Sequence, residues 1–228
     1  MRNFTVLDFP QHLDDGTANP DWVKARLGRI TGTGANAMLA KPKVAGEGMR
    51  ANLSVQLALE MATGQQCGKD FQSEAMEDGL QLEPDGRFAY ERKTGQIVMQ
   101  VGFLSHNTLM AGASIDGYIG DFEGLVSIKC PYAATHWDTV KGGTVKDIKL
   151  AYLRQIVHEQ WLTGAQWTDF VSYNPTFAEP LQVKVIRVAR DDEAIAQHDA
   201  AVMAFLAEVD AAYRSMKTMA EGFAGAVA

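Results

Sequence analysis

The sequence predicts an α+β domain in which a mixed central β-sheet is flanked by helices. Three observations predict it. Helix-type spacing of apolar residues holds to about residue 94. Short, β-prone segments separated by glycines then take over between residues 97 and 130. Helical spacing returns at 147–163, two more strand-like segments follow, and a long amphipathic stretch closes the chain. With 228 residues and neither an internal repeat nor a low-complexity linker, one domain covering 1–228 accounts for the length.

In chain order, Asp21 offers a cap for a short helix over Trp22–Leu27. The segment Thr31-Gly-Thr33-Gly leads into a second short helix near Ala35–Leu39, which Pro42 stops. Residues 43–48 read as a glycine-containing loop. Ser54–Thr63 reads as a helix ended by Gly64, and Ser73–Thr94 as a longer one, kinked or interrupted near Pro84 and closed by Gly95. Ile97–Leu104, Ala113–Ile119 and Leu125–Cys130 read as three strands of a meander. In Asp147–Thr163, Ile148, Tyr152, Ile156 and Leu162 share one helical side. Phe170–Tyr173 and Gln182–Ala189 read as strands. Residues 191–219 read as a long helix capped by Asp191 or Asp192, with the small apolar tail beyond Met219 frayed.

Composition excludes several classes. No apolar run is long enough to span a membrane. The first residues lack a basic segment followed by an apolar one, so the expectation is a cytoplasmic protein. Cys67 and Cys130 stand apart from any CxxC pair and read as free thiols, Cys130 as a small core residue. A net charge of −7 argues against a diffuse basic surface for nucleic acid, and alone it points to a small-molecule enzyme. His158-Glu159 lacks the second histidine of a zinc-protease motif, because position 162 is Leu, and reads as an exposed helical pair. Gly32-Thr-Gly34 is too short for a dinucleotide fingerprint. His12, His106, His136 and His198 show no relay spacing and read as solvated. Trp137, Trp161 and Trp167 read as core.

The chemistry concentrates in Ser114-Ile-Asp116-Gly and Gly124-Leu-Val-Ser127-Ile-Lys129-Cys-Pro131. Alternate strand residues share a face, so Ser127 and Lys129 project together and away from Val126 and Ile128. Asp116, at the end of the preceding strand, meets them across the hairpin. Taken singly, Lys129 reads as an edge-strand lysine that discourages aggregation, and Asp116 as a turn residue before Gly117.

Together these segments resemble the lambda-exonuclease family of phage recombination nucleases, YqaJ-like members of the PD-(D/E)xK group. The pattern there is an Asp, about ten residues, then (Asp/Glu)-x-Lys and Cys-Pro. Three further segments match in order between about residues 20 and 175. These are Trp22-Val-Lys-Ala-Arg26-Leu-Gly-Arg-Ile-Thr31, Gly79-x-x-x-Glu83, and Tyr152-Leu-Arg-Gln155. The resemblance implies a restriction-endonuclease-like core. It implies a divalent ion, Mg2+ or Mn2+, held by Asp116, Glu83, the Ile128 carbonyl and the residue at 127. It makes Lys129 the water-activating lysine, and Tyr152 and Gln155 supports of the scissile region. Arg26, Thr33 and Trp22 become the pocket for a 5′-phosphate. Oxygen ligands beside a lysine suit magnesium or manganese and do not suit zinc. Arg26 offers a two-pronged donor for a terminal phosphate, and Thr33 stands where a helix begins. The implied activity is 5′→3′ digestion of one strand of duplex DNA by a ring-shaped homotrimer. A single-strand annealing protein is the implied partner, in a bacterial cytoplasm under phage or prophage control. Within the same group a structure-specific endonuclease is the alternative.

At position 127 the family has an acid and this chain has serine. Three readings stand open: an inactivated form made to trap DNA, a variant in which water or another acid such as Glu123 or Asp121 fills the gap, or a DNA-end-binding protein without catalysis.

Overall fold

The computed structural model describes residues 2–13, 15–41, 48–67 and 74–226. Residues 42–47 and Ser73 lie outside them, and with them the Pro42 stop, most of the loop expected at 43–48 and the expected start of the fourth helix.

Strand β1 (Phe4–Leu7), which sequence spacing did not indicate, opens the chain. Helix α1 (Pro20–Arg26) is capped by Asn19 and not Asp21: the Asn19 side chain accepts the Asp21 N–H at 3.0 Å. Pro20 takes the first helical position, where a missing N–H costs nothing. A 3-10 turn, Gly32–Gly34, runs into α2 (Ala35–Met38). Helix α3 (Met49–Thr63) starts a turn earlier than expected and ends at Gly64, whose φ of 64° suits a residue without a side chain. Helix α4 (Glu74–Thr94) runs through Pro84, which removes one backbone donor without ending the helix.

The β-rich middle is organised differently from a single meander. It holds β2 (Phe103–His106), β3 (Gly112–Ala113), β4 (Gly117–Ile119) and β5 (Gly124–Lys129). Between 97 and 102 only an isolated bridge forms, Met99 to Tyr118. The segment expected as one strand at 113–119 divides at residues 114–116, and its halves join different sheets. Helices α5 (Ala133–Gly142) and α6 (Leu150–Thr163) then carry the chain over to β6 (Trp167–Tyr173), which pairs with β5 in parallel. The short α7 (Glu179–Gln182) leads to β7 (Val183–Ala189), and α8 (Asp192–Ala226) ends the chain. Asp191 caps α8 by accepting the N–H groups of Glu193 and Ala194. This helix continues through Ala226, seven residues beyond the end expected at Met219.

Two sheets result. Strands β1-β2-β3 are antiparallel, and β4-β5-β6-β7 is the expected mixed sheet, antiparallel at both flanks and parallel at β5–β6. The mixed sheet has helices on both sides. Val126 and Ile128 of β5 pack with Tyr90 of α4, whereas Leu125 packs with Ile115 and with Leu162 of α6. Helix α8 lays Val202, Phe205 and Val209 on Leu57 and Ala58 of α3. Burial of each large side chain there contributes roughly 1.5–3 kcal/mol.

Several polar residues are more buried than expected. His136 is enclosed, its ring nitrogens 2.8 Å from the Ser172 hydroxyl and the Leu181 carbonyl. His158 and His198 are buried against each other at 3.0 Å, and Glu159 is 1% exposed. None of these is solvated: the three histidines face polar partners from distant elements that local spacing cannot report, and Glu159 is held by Gln155 of its own helix. Conversely Trp137 is 42% exposed and is not core: α5 turns it outward. Trp161 packs between two apolar clusters, and Trp167 lies under the Arg187 guanidinium at 3.7 Å.

Candidate active site

Asp116 lies in the break between β3 and β4, beyond the end of any strand. Pairing of β4 with β5 stops at Gly117–Val126. The next inward N–H, that of Ile128, is taken instead by the Asp116 carboxylate, Oδ2 accepting at 2.7 Å. The Lys129 ammonium donates to the same oxygen at 3.0 Å. The break in the strand therefore has a cause: the side chain replaces the ladder. Both groups are mostly covered, at 19% and 15% exposed.

Glu83 approaches from α4. Arg87, one turn later, donates to Glu83 Oε1 at 2.6 Å and to the Asp116 carbonyl at 3.4 Å, so it ties helix to loop. Burial pushes the Glu83 carboxyl up to about 7, and the neighbouring Asp116 charge adds to the push. Burial works against the charge on Lys129, but Asp116, Glu159 and Glu83 outweigh it and hold the ammonium protonated well above its ordinary range. Tyr152 and Gln155 come from α6; the Tyr152 ring centre is 5.9 Å from the Lys129 nitrogen.

At the other end of the same cleft, Ser114 gathers two donors. Trp22 Nε1 reaches its hydroxyl at 2.9 Å and Arg26 Nη1 at 3.0 Å, with the guanidinium 4.3 Å above the indole. Thr33 is exposed at the rim, its hydroxyl 3.2 Å from that of Thr31. The helix expected to begin at Thr33 is one 3-10 turn and one α-turn, too short for a dipole site; Thr33 contributes its hydroxyl alone.

A cavity of about 510 Å3 joins these groups. Trp22, Arg26 and Thr33 border one end; Glu83, Asp116, Ile128, Lys129, Tyr152 and Gln155 border the other. A second cavity, about 450 Å3, meets the first at Glu83 and Asp116 and continues towards His12 and Gln100. Cys130 also borders the first cavity, as a partly covered thiol that burial pushes up to about 12.

Ser127 is the one candidate that does not border the cleft. It is 1% exposed, and its hydroxyl has no hydrogen-bond partner. Nor do Glu123 and Asp121 fill in for it: both are exposed on the β4–β5 turn, where Asp121 pairs with Arg2. Sequence reading missed Arg87, which only its four-residue spacing from Glu83 could have signalled, and Glu159. Gln155 Nε2 donates to Glu159 Oε1 at 2.8 Å. Burial pushes Glu159 up to about 8, and the Asp116 charge adds to it.

The donor set suits a hard divalent cation in reduced form. Glu83, Asp116 and the Ile128 carbonyl supply oxygen. Burial, with the Asp116 charge added to it, raises Glu83, and a cation between the two carboxyl groups would answer both. The unpartnered Ser127 hydroxyl leaves a polar demand beside them. Among the described residues no three acidic, histidine or cysteine side chains form a closed cage.

A mixed sheet whose loop aspartate and strand lysine share a cleft with a helix glutamate defines the PD-(D/E)xK class of nuclease folds. Within it, the sequence pattern of the YqaJ-like viral recombinase domain matches residues 21–166, and the chain belongs to that family. An alkaline exonuclease (LHK-Exo) from Laribacter hongkongensis superposes with a TM-score of 0.80 at 36% identity, over 90% of this chain and all of that one. The same figures hold for that protein in complex with dAMP. A phage related exonuclease from Haemophilus somnus 129PT shares the fold alone, with a TM-score of 0.65 at 14% identity over 82% of this chain and 96% of that one. No curated protein matches the chain. No helix among the described residues is long and apolar enough to cross a membrane.

Proposed function

We propose that the protein is a metal-dependent deoxyribonuclease that digests one strand of linear duplex DNA, 5′→3′, from a 5′-phosphorylated end. The convergence of Asp116, Lys129 and Glu83 on a cleft that also receives Arg26 carries this reading. The relatives named as exonucleases, one of them bound to dAMP, support it. Mg2+ or Mn2+, held by Asp116, Glu83 and the Ile128 carbonyl, would stabilise charge on the phosphate under attack. Lys129, held against the Asp116 carboxylate, would orient the attacking water and stabilise negative charge there. Arg26, braced on Trp22 and Ser114, receives the terminal phosphate with Thr33. Tyr152 and Gln155 align the scissile segment from α6.

In the cell the proposed setting is phage-type recombination in the cytoplasm, with a single-strand annealing protein downstream and a homotrimeric ring around the duplex. A ring also reconciles DNA binding with the −7 charge, because a closed tether needs less electrostatic attraction. Ser127 favours a second reading, a DNA-end-binding protein without turnover. The test supplies Mg2+ with 5′-phosphorylated linear duplex, 5′-hydroxyl duplex or closed circular DNA. Selective loss of the phosphorylated linear duplex supports the exonuclease. Cutting of circles turns the reading to a structure-specific endonuclease, and binding without cutting to the second reading. Arg26→Ala erases the preference for the phosphate, and solution mass checks the trimer.

A further inference from the structure

We propose that Glu159 on α6 supplies the carboxyl group that position 127 lacks, the acid of the strand having been exchanged for one on the facing helix. This rests on the metal-dependent nuclease reading and deepens it.

Strand and helix face each other along a ladder whose two ends are fixed by contacts. Residues 125, 127 and 129 of β5 share the face turned to α6. Residues 152, 155, 159 and 162 form one stripe of α6. At one end Leu125 packs in the same cluster as Leu162. At the other the Lys129 ammonium lies 5.9 Å from the Tyr152 ring. Between them, running in opposite directions, Ser127 falls level with the turn of α6 that carries Gln155 and Glu159. Ser127 and Glu159 are each 1% exposed. The serine hydroxyl has no partner, so the space between them asks for a polar occupant.

Size completes the exchange. A glutamate at 127 would bring a second carboxyl group to the face of β5 turned to α6, while the bare backbone of Gly32 leaves room for that of Glu159. A Cβ on Gly32 would already lie 3.1 Å from its Oε1, and Gln155 Nε2 holds the same oxygen. A buried carboxyl group is costly without a polar partner, and the Gln155 side chain supplies one to Glu159. Glu159 acts as a positioning residue, through Gln155 and the polar demand of the Ser127 hydroxyl.

Mn2+ titration calorimetry on the full chain, with thermal melts alongside, tests the proposal in four proteins. These are the wild type, Glu159→Gln, Ser127→Glu, and the double variant Ser127→Glu/Glu159→Gln. Glu159→Gln keeps the hydrogen-bonding shape, so it should melt as a folded protein yet bind Mn2+ about ten-fold or more weakly. Ser127→Glu alone should fail to tighten binding and should melt lower, since two carboxylates then share one dry space. The double variant should regain wild-type affinity and melting temperature. Unchanged Mn2+ affinity in Glu159→Gln overturns the proposal, as does tighter binding by Ser127→Glu alone. A wild type that neither binds Mn2+ nor cuts DNA takes the nuclease reading down with it.

Discussion

The two faces of β5 are built from adjacent residues and meet opposite demands. Val126 and Ile128 lie against α4 in an apolar layer with Tyr90 and Val171. Leu125, Ser127 and Lys129 face α6, where only Leu125 finds an apolar neighbour and the other two meet Asp116, Glu159 and Tyr152. One face anchors the strand so that the other can hold unlike charges in a fixed geometry. Fixed geometry matters for catalysis because groups already in place need no reorganisation when charge develops.

The contrast is broken most severely at Lys129. Lys129→Ala should cut hydrolysis by about 10²–10⁴-fold while leaving DNA-end binding nearly unchanged; equal turnover in a nuclease assay would make Lys129 a surface residue. Leu125→Ala, at the apolar foot of the same face, should instead lower stability by roughly 2–5 kcal/mol in urea unfolding. The back of α6 offers a pH lever. Burial pushes His158 down to about 3, with His198 adding repulsion, and burial pushes His198 down to about 4. The unfolded chain takes up protons near pH 6.5 that the fold refuses. The contribution of this pair is therefore complete above that pH and declines as pH falls towards 4, by about 1.4 kcal/mol per unit for each proton refused, while Glu83 and Glu159, which the fold keeps protonated to higher pH, work in the opposite direction. Melts across that range should slope less steeply in His198→Gln, and an identical slope would remove the pair from the account. The mildest change is Ile128→Val, which keeps the carbonyl: roughly 0.5–1.5 kcal/mol of stability and no loss of rate.

The same contrast explains what was legible in the sequence. Asp116 and Lys129 could be read because strand alternation and a short hairpin govern their meeting, and such rules are local. The long helices and the mixed sheet were legible for the same reason. Glu159 was not: beside His158 it looks like any polar helical pair, and its burial is decided by Gly32 and β5, far away in sequence. Helix α5 escaped because it buries only His136 and Thr139 and has no apolar stripe to read. Strand β1 escaped because its four residues gain meaning only when paired with Phe103–His106.

That last pairing has a consequence for how the molecule is made. Phe4 must wait for His106, about a hundred residues later, before its strand has anywhere to go. At ribosomal speeds that is roughly 5–20 s of waiting. Through this interval the segment Phe-Thr-Val-Leu travels as an open β-edge, and a nascent-chain chaperone would find its opportunity there.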